Sequence, residues 1–435
     1  MGRRRRFSLK FGRPRGMRDF LPDEMRGRRM ILDSVRRIFE CHGFEEMDTP
    51  AIEMWEVLAA KGGEEVERQI YKFQDKGGRW LGLRFDLTVP LARVVASNPD
   101  LTKPFKRYCI AKVWRYEEPQ SGRFREFVQA DIDIVGSPKM EADMECVSTA
   151  VDALRGIGLA GFEVKINNRK ILEGIVEGLG IDSVKAGRVF RALDRLEKVG
   201  AEAVAAEMAG AGLSDSEVGR ILDLTEYKGT EALDYVKREL AGSKAAMEGL
   251  QELERVLDLA PPFGLSGALE VDFSLVRGLD YYTGPVFEIK AKDAQIGSIG
   301  GGGRYDRLIE RFGGPPTPAT GISLGVERLN EVLAAKIGSG PGGPVVFVAN
   351  VNESVMADAI RISREIASSG IPSEADIMGR RLGRQLEYAE KRGIPFVLIV
   401  GPEELKSGKF KLRDMERKGE VEVLLGDLPS LLLKK

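Results

Sequence analysis

Residues 107–136 read RYCIAKVWRYEEPQSGRFREFVQADIDIVG, and how this stretch divides decides the fold. Two runs of strand composition, RYCIAKVWRY and FREFVQADIDIVG, stand on either side of the polar loop EEPQSGR. In the second run Gln129, Asp131 and Asp133 alternate with Ala130, Ile132 and Ile134. Successive side chains of a strand point to opposite faces, so this period puts three polar groups on one face and three apolar groups on the other. The ordinary explanation of such a face is solvent, and the pattern alone does not separate that from a polar binding surface.

Working outward, residues 24–43 carry Ile31, Val35, Ile38 and Phe39 at helical spacing, with Gly43 as the stop. The extended piece FEEMDTPAIE follows, interrupted by Pro50. From 169 to about 260 the chain turns rich in Ala, Glu, Arg and Leu, with the helical repeat Val189, Leu193, Leu196 and a capping-box spacing at Ser214 and Glu217. Strand patterns resume at LEVDFSLV (269–276) and PVFEIKA (285–291), followed by GSIGGGGRYD (297–306) and ATGISLGVERL (319–329), which leads into a helix on Val326, Leu329 and Leu333. Strands on both sides of a helical stretch imply one split sheet. SGPGGP (339–344) has linker composition, and beyond it VVFVAN, helix patterns around Ile360 and Leu382, and PFVLIV alternate as in a small α/β domain. The expected organisation is a basic tail (1–18), a core (19–168 and 261–336), a helical insertion (169–260), a linker (337–343) and an α/β domain (344–435).

At 435 residues the chain has the length of about three domains. Its formal net charge of −1 excludes a uniformly basic coat, so any contact with nucleic acid has to be local. Only the start is one-signed: Arg3, Arg4, Arg5, Arg6, Lys10, Arg13, Arg15 and Arg18 precede the first acid, Asp19. A solvated tail, a phosphate-seeking arm and a transit-like segment all fit it, although it is short and lacks an amphipathic pattern. Cys41, Cys109 and Cys146 are odd in number and widely spaced, which suits a reducing cytoplasm better than a disulfide framework or a zinc site. No run approaches the roughly eighteen apolar residues of a membrane span, so a soluble, cytoplasmic protein without membrane contact is expected. His42 is the single histidine, at the end of a helix pattern where a capping or surface role is ordinary; a His-based triad would have to use it.

Unlike polar groups concentrate in LRFDLTVP (83–90), in 114–133, in VRGLDYYTG (276–284) and in GVERL (325–329). The third of these offers Arg277, Asp280, Tyr281 and Tyr282 between glycines: a donor fork, a carboxylate and two phenols, suited to an anionic and polar ligand, or simply a hairpin with packed tyrosines. Arg115, Arg123 and Arg328 suit phosphate, because planar guanidinium groups pair bidentately with its oxygens and stay charged. No Walker A or GxGxxG fingerprint follows a strand, and the glycines at 300–303 fit close backbone approach.

From RPRGMRDFLP (13–22) to the carboxyl-terminal domain the sequence resembles the histidyl-tRNA synthetases, class II aminoacyl-tRNA synthetases, and their archaeal and eukaryotic branch in particular. The segment bearing Arg115 and Arg123, and GISLGVERL, look like motifs 2 and 3 of class II enzymes; RGLDYYTG and GGGGRYD look like the two signatures of the histidine members. The resemblance implies an α+β fold: a class II antiparallel sheet flanked by helices, a helical insertion that clamps the acceptor arm, and a C-terminal α/β anticodon-binding domain. It implies histidine activation by ATP, with Mg2+, and transfer of histidine to the 3′ end of the cognate tRNA. By similarity Arg115 grips the α-phosphate, Glu117 reads the adenine amino group, Arg123 meets the terminal phosphate, and Phe127 with Arg328 sandwiches the adenine.

Arg277 would contact both the histidine carboxylate and the α-phosphate, as a catalytic residue beside Arg115; a fixed cation aimed at developing charge is worth about two to three powers of ten in rate. Asp86, Thr88 and Gln129 are the implied holders of the substrate ammonium. Asp133 and Tyr282 are the implied partners of the imidazole nitrogens, with Tyr281 and Tyr305 lining the site. Bacterial members commonly have Glu where Asp86 and Asp133 stand. FEEMDTP (44–50) looks like motif 1, implying a homodimer. Arg380, Arg381, Arg384 and Arg413 of the terminal domain would meet tRNA phosphates or form a solvated face. The rival reading is an inert paralogue serving as a histidine-binding regulatory subunit, which would have lost nucleotide-binding residues; Arg115, Arg123, Arg277 and Arg328 are all present.

Overall fold

The computed structural model describes residues 12–60, 64–119, 122–276, 281–292, 297–337 and 342–432. The chain divides into two compact units, Met1–Ser339 and Gly340–Lys435. Arg277 and Asp280, most of the basic tail, including Arg3, Arg4, Arg5, Arg6 and Lys10, and part of the 337–343 segment lie outside the described residues.

The first unit opens with helix α1 (Pro22–Cys41). Pro22 enters a position whose N–H needs no partner, and the Glu24 carboxylate accepts from the Leu21 N–H at 3.2 Å. Ile31, Val35 and Phe39 form the buried stripe, and Gly43 closes the helix at φ +75°. Glu45–Glu46 (β1) then pairs in parallel with the long strand Phe105–Trp114 (β2). The rest of FEEMDTPAIE is not regular strand until Ile52–Met54, which joins Lys72–Gln74 and Trp80–Leu83 in a separate three-stranded antiparallel sheet. Thr88–Ser97 forms helix α2.

Six further strands complete the large sheet: β3 (Glu126–Val135), β4 (Phe162–Asn168), β5 (Leu269–Val271), β6 (Pro285–Ala291), β7 (Gly300–Arg304) and β8 (Ala319–Gly325). The order is β1-β2-β3-β8-β7-β6-β4-β5, antiparallel throughout except for the short parallel pairs at its two edges. Val128, Ala130, Ile132 and Ile134 of β3 join one core with the α1 stripe and with Met144, Val147 and Val151 of helix α3 (Met140–Gly156). Helix α4 (Val326–Ile337) adds Val326, Leu329 and Leu333 to that core.

Between β4 and β5 helices succeed one another from Arg169–Gly178 to Lys244–Leu259. Their starts are written in the sequence: Asn168, Asp182, Ser214 and Ser243 each accept a backbone N–H of the first turn. The Ser214/Glu217 box closes from both sides, with the Ser214 N–H donating to Glu217 at 2.6 Å and the Glu217 N–H donating to Ser214 Oγ at 3.4 Å. β4 before this segment and β6 after it are neighbours, so the sheet is split in sequence and continuous in space.

The second unit is a five-stranded sheet built from β9 (Val346–Asn350), β10 (Ser373–Ala375), β11 (Phe396–Val400), β12 (Phe410–Asp414) and β13 (Glu420–Val423), in the order β10-β9-β11-β12-β13. Helices α5 (Met356–Ser368) and α6 (Leu382–Lys391) follow β9 and β10. Of the four arginines expected to meet phosphates, Arg380 pairs with Asp376 at 2.7 Å, Arg384 with Glu387 at 2.8 Å and Arg413 with Glu420 at 3.4 Å, while Arg381 precedes α6. Among the described residues no helix is long and apolar enough to cross a membrane.

Candidate active site

The polar face of β3 is not solvated, and this corrects the ordinary reading of its alternation. Gln129, Asp131 and Asp133 are 8%, 3% and 2% exposed, and they form the floor of a cavity of about 420 Å³. The floor exists because its neighbours lack bulk. On β8 the residues opposite Asp133, Asp131 and Gln129 are Gly321, Ser323 and Gly325. A Cβ on Gly321 would stand 2.1 Å from Asp133 Oδ1, and one on Gly302 of β7 would stand 2.0 Å from the Gly321 carbonyl oxygen. Close approach, and not phosphate cradling, accounts for these glycines.

Every described member of the expected site reaches this cavity. Its lining includes Asp86, Thr88, Gln129, Asp133, Tyr281, Tyr282 and Tyr305 together with Arg115, Glu117, Arg123, Phe127 and Arg328. Around Asp133, Tyr305 donates its hydroxyl hydrogen to Oδ1, and Arg107 Nη2 lies 2.7 Å from Oδ2. Tyr305 is therefore a partner of Asp133 as well as a wall. Tyr281 donates to the Tyr282 hydroxyl at 3.1 Å, with the two rings 4.4 Å apart. Gln129 donates to Ser323 Oγ at 2.6 Å, leaving its carbonyl oxygen buried and without a hydrogen bond. Asp86 accepts the Val89 N–H at 3.0 Å, which fixes the turn into α2 where Thr88 is the first residue.

Burial dominates the acid–base state here. It pushes the Asp131 carboxyl up to about 7 against the pull of Arg107, with Asp133 and Asp86 adding to the rise. It also raises Asp133, which Arg107 and the Tyr305 hydrogen bond draw back toward the ionised form.

The guanidinium-bearing residues Arg115, Arg123 and Arg328 are half-buried. Arg115 Nε donates to the Phe85 carbonyl at 2.9 Å and its guanidinium lies 5.3 Å from the Phe127 ring centroid. Arg123 is 3.9 Å from Glu117, and Arg328 donates to the Ser298 carbonyl. The preceding residue anchors Arg328: Glu327 accepts the Val128 N–H at 2.8 Å and pairs with Arg28 at 2.6 Å, both side chains almost fully buried. His42 caps α1, 3.4 Å from Asp152, and is not among the cavity's lining residues.

Sequence reasoning missed Asp131, Ser323, Arg107 and Glu327. Asp131 shares the alternation that marked Gln129 and Asp133 and was legible from it. Arg107 becomes visible only once the register places it opposite Asp133. The Arg28–Glu327 pair joins residues far apart in the chain and leaves no local signal.

A family model described as histidyl-tRNA synthetase matches residues 16–329, and one described as anticodon binding domain matches residues 345–435. A histidine--tRNA ligase of Aeropyrum pernix is 44% identical over 422 residues, covering 95% of this chain and 96% of that protein. The crystal structure of histidyl-tRNA synthetase from Nostoc superposes with a TM-score of 0.82 at 32% identity, covering 98% of this chain and 99% of that one. A structure titled ATP phosphoribosyltransferase regulatory subunit/histidyl-tRNA synthetase from Bacillus halodurans gives 0.73 at 26% identity and covers 86% of this chain. On this coverage, and with the class II sheet in place, the chain belongs to the histidyl-tRNA synthetase family.

Proposed function

We propose that this chain is a histidine--tRNA ligase: it joins L-histidine to ATP as histidyl-adenylate with release of pyrophosphate, then transfers histidine to the 3′ end of its cognate tRNA with release of AMP. The observation that carries the reading is one cavity lined both by the acids Asp86, Asp131 and Asp133 and by the guanidinium groups of Arg115, Arg123 and Arg328. The acids suit a ligand with an ammonium and a ring N–H, the guanidinium groups a nucleotide triphosphate. ATP enters as its magnesium complex, the metal travelling with that substrate.

In the first step a histidine carboxylate oxygen attacks the α-phosphorus and the bond to pyrophosphate breaks. Arg115 balances the charge on the α-phosphate, Arg123 the departing phosphates, and Phe127 with Arg328 holds the adenine while Glu117 accepts from its amino group. Arg277, which lies outside the described residues, joins Arg115 as the second cation on the reacting groups. Asp86, Thr88 and Gln129 hold the ammonium. Asp133 accepts the ring N–H: Tyr305 donates to Oδ1, while Oδ2, ion-paired with Arg107 at 2.7 Å, has no hydrogen bond, so the carboxylate has lone-pair capacity for a further donor. Tyr282 addresses the other ring nitrogen, and Tyr281 and Tyr305 wall the pocket.

In the second step the terminal ribose hydroxyl attacks the adenylate carbonyl, AMP leaves, and the adenylate's phosphate takes the hydroxyl proton. The 169–260 insertion clamps the acceptor arm, the terminal unit meets the anticodon, FEEMDTP contributes to a homodimer, and the cytoplasm is the compartment. The regulatory reading is the weaker one, because the described guanidinium groups a nucleotide needs line the cavity and an anticodon-binding match follows.

Pyrophosphate exchange into ATP with each of the twenty amino acids tests the reading. Exchange confined to histidine, and falling by about two to three powers of ten in Arg115→Ala and in Arg277→Ala, is the expected outcome. A folded protein that binds histidine yet exchanges with no amino acid would mark the regulatory paralogue instead.

A further inference from the structure

Arg107 stands behind the cavity and touches what the cavity is built on. It is wholly buried in β2, and the β2–β3 register sets it opposite Asp133. Nη2 lies 2.7 Å from Asp133 Oδ2 and also donates to the Leu87 carbonyl at 2.9 Å, between Asp86 and Thr88. Nε and Nη1 are buried without a hydrogen-bond partner. A guanidinium kept in the interior and only half satisfied is a poor stabilising device, since apolar side chains packed in place of such a pair are often as stable or more so. Stability therefore does not account for it.

We propose that Arg107 is a positioning residue for amino-acid recognition: it holds the Asp133 carboxylate ionised and fixed in the cavity floor and, through Leu87, holds the turn that carries Asp86 and Thr88. The inference rests on reading Asp133 as the acceptor for the imidazole N–H. The charged and titratable groups facing Asp133 come from every side: Arg107 on β2, Asp131 on its own strand, Tyr305 after β7, Asp86 before α2 and Cys146 on α3. Arg107 supplies the cation of this set. Burial keeps the Cys146 and Tyr305 protons on, so neither adds charge. Without Arg107, burial and the neighbouring acids would drive the Asp133 carboxyl further up and protonate the acceptor that the substrate ring needs.

The test is the KM for histidine in pyrophosphate exchange, read as the ratio of variant to wild type between about pH 6 and 8.5 so that the titration of histidine itself cancels. Arg107→Met is expected to raise KM by about ten- to a hundred-fold at pH 7, with a much smaller change in kcat. The ratio should shrink as pH rises and Asp133 ionises, and Arg107→Lys, which keeps a cation, should recover most of the affinity. A folded Arg107→Met whose ratio stays flat with pH, or a lysine variant no better than the methionine one, would overturn the proposal and leave Arg107 as filler. If Arg107→Met does not fold, Arg107→Lys against Arg107→Gln gives the same comparison. Asp133→Asn separates the two layers: a histidine KM unchanged in that variant brings down the reading of Asp133 itself.

Discussion

The central strands of the two units are buried alike and composed unlike. β9 is buried along its whole length as Val346, Phe347, Val348, Ala349 and Asn350, and its one polar side chain sits at the end, where Asn350 Nδ2 donates to the Asn352 carbonyl at 2.8 Å and Oδ1 alone is left without a hydrogen bond. β3 is buried from Val128 to Val135 and carries Gln129, Asp131 and Asp133 inside, with the Gln129 carbonyl oxygen, Asp131 Oδ1 and Asp133 Oδ2 all left without hydrogen bonds. A strand made for stability looks like β9. Buried polar atoms left open cost free energy, so their concentration on one face of β3 marks a surface kept for a ligand.

The largest expected effect comes from breaking an interior pair whose role is mechanical support. Arg28 and Glu327 pair at 2.6 Å, and Arg28→Met leaves the Glu327 charge buried, a cost of about 3–5 kcal/mol. All three tryptophans, Trp55, Trp80 and Trp114, lie in the first unit, so urea unfolding followed by tryptophan fluorescence reads that unit. Arg28→Met with Glu327→Leu should recover much of the loss. A single variant as stable as wild type would show that buried charge in this unit is less costly than the comparison with β9 requires.

Asp131 comes next and adds a pH signature. Its folded value, about 7, lies above the unfolded carboxyl value, so folding favours the protonated form. Well below about pH 4 the group is protonated in both states and costs nothing; the penalty grows between about pH 4 and 7 and is at its full size above 7. Asp131→Asn should therefore raise stability relative to wild type, by little near pH 3, by about 1 kcal/mol at pH 5 and by about 2–4 kcal/mol at pH 8. A difference that does not vary with pH would mean that Asp131 stays ionised throughout, paired well enough to resemble a surface acid.

Gly321→Ala probes the same floor by shape. The added methyl meets Asp133 Oδ1 and the Ile132 carbonyl, so Asp133 has to shift. A displacement of about 1 Å at a binding group can cost about a hundred-fold in kcat/KM, read here for histidine with ATP saturating.

These contrasts also explain what was legible in the sequence. The periods of β3, α1 and the insertion helices are local properties, as is the cap at Ser214, and they appear in the structure where the residues place them. The described site residues could be assembled because their motifs are short and their family resemblance is specific. Whether a polar face is wet or buried is not local. It depends on Gly321, Ser323 and Gly325 arriving opposite β3 from nearly two hundred residues away, and no window over residues 126–135 contains that information.

The smallest effect belongs to the other unit's surface. Arg384 and Glu387 pair at 2.8 Å with side chains 74% and 51% exposed, one helical turn apart. Such pairs contribute about 0.5 kcal/mol or less, so Arg384→Ala should leave stability nearly unchanged. Histidine-dependent pyrophosphate exchange needs no tRNA and should stay within about two-fold, since a surface pair in the terminal unit bears on neither ATP nor histidine. Aminoacylation then divides the two readings of this arginine. A phosphate contact predicts a higher KM for tRNA and a salt dependence reduced by about one unit of slope. A solvated face predicts neither, because Glu387 and water already satisfy the guanidinium, and in that case an exposed arginine in this unit says as little about function as an apolar one in β9.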